Sequence, residues 1–239
     1  MSVLNLLRRF ASHLPAHWQT TLRRHWCSWQ IRFGRFNHDE PEFKRLSDWV
    51  SDGDCVIDIG ANVGLFTAAL SRLVGPNGHV FAFEPVPETF LLLTSNSRRF
   101  AYPNITLLNA AASDVSALVG MEIPTLQSGL SNIYEAHIVD SPAQKQTFAV
   151  PVDALDLPGR VTFCKIDVEG HEYKALLGMK NLLTKHGPLL VVEGANAAVN
   201  EFLSTLGYTG VRISGSPNTV FTRVAPVATD AELTGRTSQ

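Results

Sequence analysis

Cysteine is scarce: three residues, Cys27, Cys55 and Cys164, stand far apart in a chain of 239. The last two lie inside apolar runs, which excludes a disulfide framework or a zinc site and points to reduced core thiols. Charge is sparse too. Only 18% of residues are Asp, Glu, Lys or Arg, and a net charge of −2 gives no global pull toward nucleic acid. Long apolar runs are missing, and no stretch reaches the roughly 18 residues that span a bilayer. No apolar segment ending in a small-residue cleavage site opens the chain, so a cytoplasmic location is expected. What remains is an apolar content of 45%, enough for one well-filled α/β domain with an appendage.

Acids are absent from the first 36 residues. Arg8, Arg9, Arg23, Arg24, Arg32 and Arg35 are interleaved there with Trp18, Trp26 and Trp29. Such interleaving reads as peripheral membrane contact, as a nucleic-acid arm, or as a helical cap whose aromatics pack on the main domain. Pro15 interrupts a long amphipathic helix, so a cap over 1–50 is the expectation. A main domain over 51–225 and a flexible tail over 226–239 follow.

Within the main domain, strand and helix patterns alternate, as in a parallel sheet with helices on both faces. Strand-like runs fall near 55–59, 79–83, 105–110, 161–166 and 189–193. Helix-like runs fall near 63–73, 87–100, 171–184 and 196–206. Two further strand candidates, 208–213 and 219–224, are joined by SGSPN, too short a link for anything but an antiparallel hairpin. Between 114 and 160 no helix pattern appears. Two extended candidates, 121–126 and 147–152, flank the polar SGLSN, and a long loop there is the place for substrate recognition.

Two clusters carry chemistry. In CVIDIGANVGLF a buried strand passes Asp58, turns through Gly60, Ala61 and Asn62, and enters a helix near Gly64. A second strand, HVFAF, ends at Glu84, where an acid accepts hydrogen bonds from ribose hydroxyls. The D-x-G-x-x-x-G spacing is not the G-x-G-x-x-G of a pyrophosphate dinucleotide. An acid before the turn suits a ligand carrying an ammonium and a sulfonium, and S-adenosylmethionine fits that description. The other cluster is CKIDVEGHE. Lys165, Asp167 and Glu169 share one face while the chain stays extended, before Gly170 turns it into a helix from His171. The neighbouring strand ends in Glu193.

VIDIGANVGLF, VFAFEPVPETF, NAAASD, VPVDALDL, KIDVEGHE and LLVVEG, in this order, closely resemble the FkbM family of methyltransferases. The resemblance covers roughly residues 38 to 195. It implies a Rossmann-like class I methyltransferase fold: a mostly parallel seven-stranded sheet with a C-terminal antiparallel strand pair and helices on both faces. It also implies S-adenosyl-L-methionine as donor and O-methylation of a hydroxyl on a sugar, glycan or secondary metabolite. On it, Gly60, Ala61, Asn62 and Gly64 shape the turn under the donor, Asp58 orients that turn, and Glu84 holds the ribose. Ala111, Ala112 and Ser113 contact adenine, and Asp167 sits near the transferring methyl.

A protonated alcohol is a poor nucleophile, so a base is expected. The candidates, in order, are Asp167, Glu169 and His171. Mg²⁺ takes carboxylate ligands of this kind, but nothing in their spacing demands a metal, and none is assigned. Two alternatives compete: a nucleic-acid or protein N-methyltransferase, disfavoured because IDVEG stands where such DNA enzymes carry N/D-P-P-Y/F, and a non-catalytic S-adenosylmethionine-binding module. The acceptor is expected to be a small molecule or glycan rather than nucleic acid. Oligomeric state is not readable from the chain.

Overall fold

The computed structural model describes Trp18, Trp26, Trp29, Ile31 and residues 40–125, 132, 135–139, 143 and 145–223. A seven-stranded sheet organises them. Its strands are β1 (Cys55–Ile59), β2 (His79–Phe83), β3 (Ile105–Leu108), β8 (Val161–Ile166), β9 (Leu189–Glu193), β10 (Tyr208–Arg212) and β11 (Asn218–Arg223). In space they run β3-β2-β1-β8-β9-β11-β10. The first five are parallel, and β11 joins antiparallel to both β9 and β10. This is the arrangement expected of a class I methyltransferase.

Strand residues divide by parity, because successive side chains point to opposite faces. Ile57, Ile59, Cys164, Ile166, Leu190 and Val192 face one side, under α4 (Glu172–Leu177), α5 (Lys180–His186) and α6 (Ala197–Thr205). Val56, Val80, Phe163 and Val191 face the other, under α1 (Pro41–Trp49) and α2 (Leu65–Val74). Ala82 meets Leu93 of α3 (Pro87–Ser97) on that same side. Both faces are covered, so the parallel strands read as apolar runs interrupted only where chemistry needs a polar group.

Two expectations are corrected. The helix expected over 171–184 is two helices, broken at Gly178 and Met179. At Gly178 the backbone presses on Ser113, where a Cβ would lie 1.8 Å from the Ser113 carbonyl oxygen. The Asp153 carboxylate then accepts from the amides of Asn181 (2.8 Å) and Leu182 (2.9 Å), giving α5 a start of its own.

The stretch expected to be a long loop instead folds into a second sheet. Its strands are β4 (Ala111–Ala112), β5 (Ala117–Glu122), β6 (His137–Val139) and β7 (Lys145–Val150), in the order β4-β7-β5-β6. Leu118 faces Phe148 across β5 and β7, a cross-strand apolar pair of the kind that holds such small sheets together. Thr147 Oγ1 donates to the Pro85 carbonyl (2.9 Å) and Lys145 pairs with Glu88, so the small sheet is tied to the loop after β2 and to the first turn of α3.

Of the segment 1–39 within the expected N-terminal cap, Trp18, Trp26, Trp29 and Ile31 are described. Trp18, Trp26 and Trp29 are 53%, 55% and 40% exposed, and Trp26 stacks on Trp29. α1, at the end of the same 1–50 segment, packs on the main domain through Phe43 against Phe66 and Trp49 against Phe163. The six arginines, most of SGLSN and the tail lie outside the described residues. Among the described residues, no helix is long and apolar enough to cross a membrane, and no group of His, Cys, Asp or Glu is arranged to hold a metal ion.

Candidate active site

The C-terminal ends of β1, β2 and β8 open into a cleft of about 220 Å³. Gly60, Ala61, Asn62 and Val63 form its floor beside Glu84. Ala110, Ala111 and Ala112 form one wall, and Lys165, Asp167, Glu169 and His171 another. Met121, His137 and Ile138 of the second sheet close a third side.

The floor is set by backbone geometry. The Gly60 and Ala61 amides both donate to the Phe83 carbonyl, at 3.0 and 2.8 Å, which folds the β1 turn over the end of β2. Gly60 has φ +87, and its α-carbon lies so near β8 that a Cβ would sit 1.8 Å from the Asp167 carbonyl oxygen. Asn62 is left-handed at φ 50, a conformation that Asn tolerates better than most residues. Gly64, at φ +91, precedes α2.

Glu84 stitches this turn to the next loop. One carboxylate oxygen accepts from the Asn62 amide and the other from the Val86 amide, each at 2.9 Å. Burial pushes the carboxyl up to about 7, although both amide bonds pull the other way. Each oxygen keeps a second lone pair for a ligand.

Asp58 lies beneath the floor, not on it. It is fully buried, shares a strand face with Val56, and accepts a hydrogen bond from Thr67 Oγ1 of α2 at 2.7 Å. Its place is therefore an anchor between β1 and α2, and burial raises its carboxyl above the ordinary range. Opposite it in register stands Lys165, 4% exposed, with its ammonium over the Phe66 ring at 4.7 Å. Lys165 Nζ donates to Asp167 Oδ2 at 2.7 Å. Burial pushes Asp167 up, but the Lys165 charge and hydrogen bonds from Lys165 and Glu193 outweigh it and hold the carboxyl below the usual range. Burial and then the Asp167 charge push Glu193 the other way, so its proton is shared toward Asp167. Three carboxyl groups thus surround one buried ammonium.

The remaining candidates separate. Glu169 does not continue the extended run; it sits at φ 51, and Gly170 at φ 97, so the chain turns away and leaves Glu169 on the cleft wall. Burial and the nearby Asp167 charge raise its carboxyl. His171 is buried, with Nε2 3.0 Å from Ser113 Oγ. Ser113 Oγ donates its one proton to Asp114 Oδ1 (3.1 Å), so the shared hydrogen belongs to His171 Nε2. Ser113 therefore lies behind the wall, locking His171, while Ala111 and Ala112 face the cleft. His137, Met121 and Ile138 were not legible in the sequence as site residues; the signal that existed was the length of the segment carrying them.

Comparison with known proteins places this fold. The sequence profile of the methyltransferase FkbM domain matches residues 58–209. The hexuronic acid methyltransferase AglP of Haloferax volcanii is 31% identical over 158 residues, covering 65% of this chain and 61% of AglP. The 31-O-demethyl-FK506 methyltransferase FkbM of Streptomyces tacrolimicus is 29% identical, covering 54% of this chain and 60% of that protein. The chain thus spans about three fifths of the length of these two relatives. Among solved structures, the methyltransferase FkbM from Methylobacillus flagellatus superposes with a TM-score of 0.53 at 19% identity, over 72% of this chain and 44% of that one, and shares its fold. With the family profile matched from Asp58 in β1 through β9 to Thr209 in β10, the chain belongs to the FkbM methyltransferase family.

Proposed function

We propose that this protein is an S-adenosylmethionine-dependent O-methyltransferase whose acceptor is a hydroxyl on a sugar, glycan or secondary metabolite. The observation that carries the reading is the cleft floor: a glycine turn laid over β2 and a buried Glu84 carboxylate held by two backbone amides. Bound there, S-adenosylmethionine supplies a methyl already activated by its sulfonium. The residues suit such a cation. Among the described residues, the carboxyl groups of Glu84 and Asp167 in the cleft, with Asp58 and Glu193 behind it, outnumber the buried cation Lys165, so the site can accept positive charge.

In this reading Glu84 accepts from the ribose hydroxyls, and Gly60, Ala61 and Asn62 let the ligand approach the backbone. Ala111 and Ala112 give adenine a flat apolar wall. Asp167, fixed by Lys165, faces the methyl, and Glu169 borders the acceptor. The acceptor class rests on the relatives' names, one a hexuronic acid methyltransferase and one acting on 31-O-demethyl-FK506. A cytoplasmic location belongs to the same reading, supported by the buried, unoxidised thiols of Cys55 and Cys164.

Calorimetric titration with S-adenosylhomocysteine tests this. Saturable binding is expected, with NAD silent, and Glu84→Ala should weaken it by about 10-fold or more, as loss of a charge-assisted pair does. The pH dependence has a fixed sign. Ribose hydroxyls bond more strongly to the ionised carboxylate, so affinity should rise as pH passes upward through about 7, where Glu84 loses its proton. Glu84→Gln should flatten that rise. A folded protein that ignores S-adenosylhomocysteine on both sides of pH 7 overturns the reading.

A further inference from the structure

The second sheet brings one group into the cleft that no motif announced. His137 opens β6, pairs with Glu122 of β5, and lines the same cleft as Asp167, Glu169 and His171. Met121, which is buried, and Ile138 flank it, so this side of the cleft is apolar apart from the imidazole.

We propose that His137 Nε2 accepts the proton from the acceptor hydroxyl during methyl transfer. This deepens the methyltransferase reading above and rests on it. The first argument is the tautomer. His137 Nδ1 lies 2.9 Å from the Glu135 carbonyl oxygen. A carbonyl carries no proton, so the hydrogen in that bond is on Nδ1, and in the neutral ring Nε2 bears the lone pair. The Glu135 amide itself donates to the Asn132 carbonyl (3.2 Å), so the residue that carries this oxygen is held on its N-terminal side. The ring is held as a proton acceptor before anything binds.

The second argument is where the positive charge would go. Glu169 and His137 line the same cleft; burial and then the charges of Asp167, Glu135 and Glu172 raise the Glu169 carboxyl, and a positive charge on His137 acts in the opposite sense. An imidazolium formed at His137 therefore has the Glu135 carbonyl on one nitrogen and the Glu169 carboxylate within electrostatic reach. The third argument is elimination among the cleft's other bases. Asp167 is committed to Lys165 and Glu193, and His171 Nε2 donates to Ser113. Asp167 is held below the usual carboxylate range and so is a weak base at neutral pH, and the His171 nitrogen named here is the one that points to Ser113 behind the wall.

The step balances. The hydroxyl oxygen bonds the methyl carbon as the S–CH₃ bond breaks, and that bond's electron pair stays on sulfur as a neutral thioether. The hydroxyl proton passes to Nε2 and is later lost to water.

Two measurements on the full chain decide it. With ¹⁵N-histidine labelling, and His137→Gln to assign the signal, two-bond ¹⁵N–¹H correlation of the S-adenosylhomocysteine complex should show His137 protonated at Nδ1 and bare at Nε2. Methyl transfer from labelled S-adenosylmethionine to a panel of hexuronic acid glycosides should then fall about 100-fold or more in kcat for His137→Ala. KM for the donor should hold, and added imidazole should restore part of the rate, which a merely structural role would not allow. An Nε2–H tautomer, or a loss below about 3-fold, overturns the proposal. The tautomer decides by itself if no saccharide in the panel is methylated. Absence of S-adenosylhomocysteine binding to the unaltered protein would instead overturn the donor reading.

Discussion

Gly60→Ala should abolish S-adenosylhomocysteine binding and cost more than about 4 kcal/mol of stability, whereas Gly53→Ala should cost about 1–2 kcal/mol and leave binding intact. The two glycines have nearly the same backbone, φ +87 and φ +85, so the strain of placing an L side chain in the left-handed region is common to both. They differ in what the new methyl meets. At Gly53 there is nothing within 4 Å; at Gly60 the methyl would lie 1.8 Å from the Asp167 carbonyl oxygen and 2.9 Å from its carbon. Both are backbone atoms, so no rotamer change relieves the overlap. The turn after β1 and the segment after β8 would have to part. That breaks the bond from the Asp167 amide to the Ile59 carbonyl (3.0 Å) and moves the floor relative to Asp167. A displacement near 1 Å in such a site costs about 100-fold in function. Urea unfolding of both variants, read beside calorimetry, checks this. Equal losses at the two positions would mean that the contact between these segments is not what fixes the site.

The same contact explains why this part of the molecule was legible in the sequence. The glycine turn, the acid ending β2 and the acid after β8 each sit at a strand end. Parallel strands bring their C-terminal ends to one edge, whatever lies between them. Glu84 reaches the Asn62 amide across 22 positions for that reason. Parity was the finer signal: Asp58 stands an even number of residues from Val56, so it turns under α2 with Lys165 instead of into the cleft. The second sheet was harder to see. The burial of β5 and β7 alternates only weakly, with Leu118 and Phe148 left 68% and 49% exposed, so the hydrophobic pattern that marks a strand is faint there. β6 has three residues, too few for any period. His137 follows from that. Its role depends on a carbonyl two residues earlier and a carboxylate 32 positions later, and no spacing rule joins those. The break at Gly178 is of the same kind, since it answers to Ser113 in another element.

Lys165→Met should lower stability by about 3–5 kcal/mol at pH 8, the usual cost of removing one partner from a buried ion pair. Methionine fills most of the lysine's volume and keeps contact with Phe66, so the loss is electrostatic and not a cavity effect. The sign of its pH dependence follows from the carboxyls around it. Asp167 is held low by Lys165, so it contributes stability above its ordinary pKa, and that contribution disappears as pH falls through its folded value. Asp58 and Glu193 are raised, so each favours the folded state most at low pH and loses that advantage as pH rises through its folded value. Without the ammonium all three move upward, since Lys165 draws each of them down in the native protein. The variant should therefore regain stability on acidification, and its deficit relative to the unaltered protein should be smaller at pH 5 than at pH 8. Adding Asp58→Asn to Lys165→Met should recover part of the loss at pH 8, because it removes the most deeply buried of the stranded charges while leaving an acceptor for Thr67. Denaturant unfolding of the single and double variants at both pH values provides the check. A deficit that is the same at pH 5 and pH 8, or a double variant weaker than the single, would mean that Lys165 holds this site by packing and not as the counter-charge to its carboxylates.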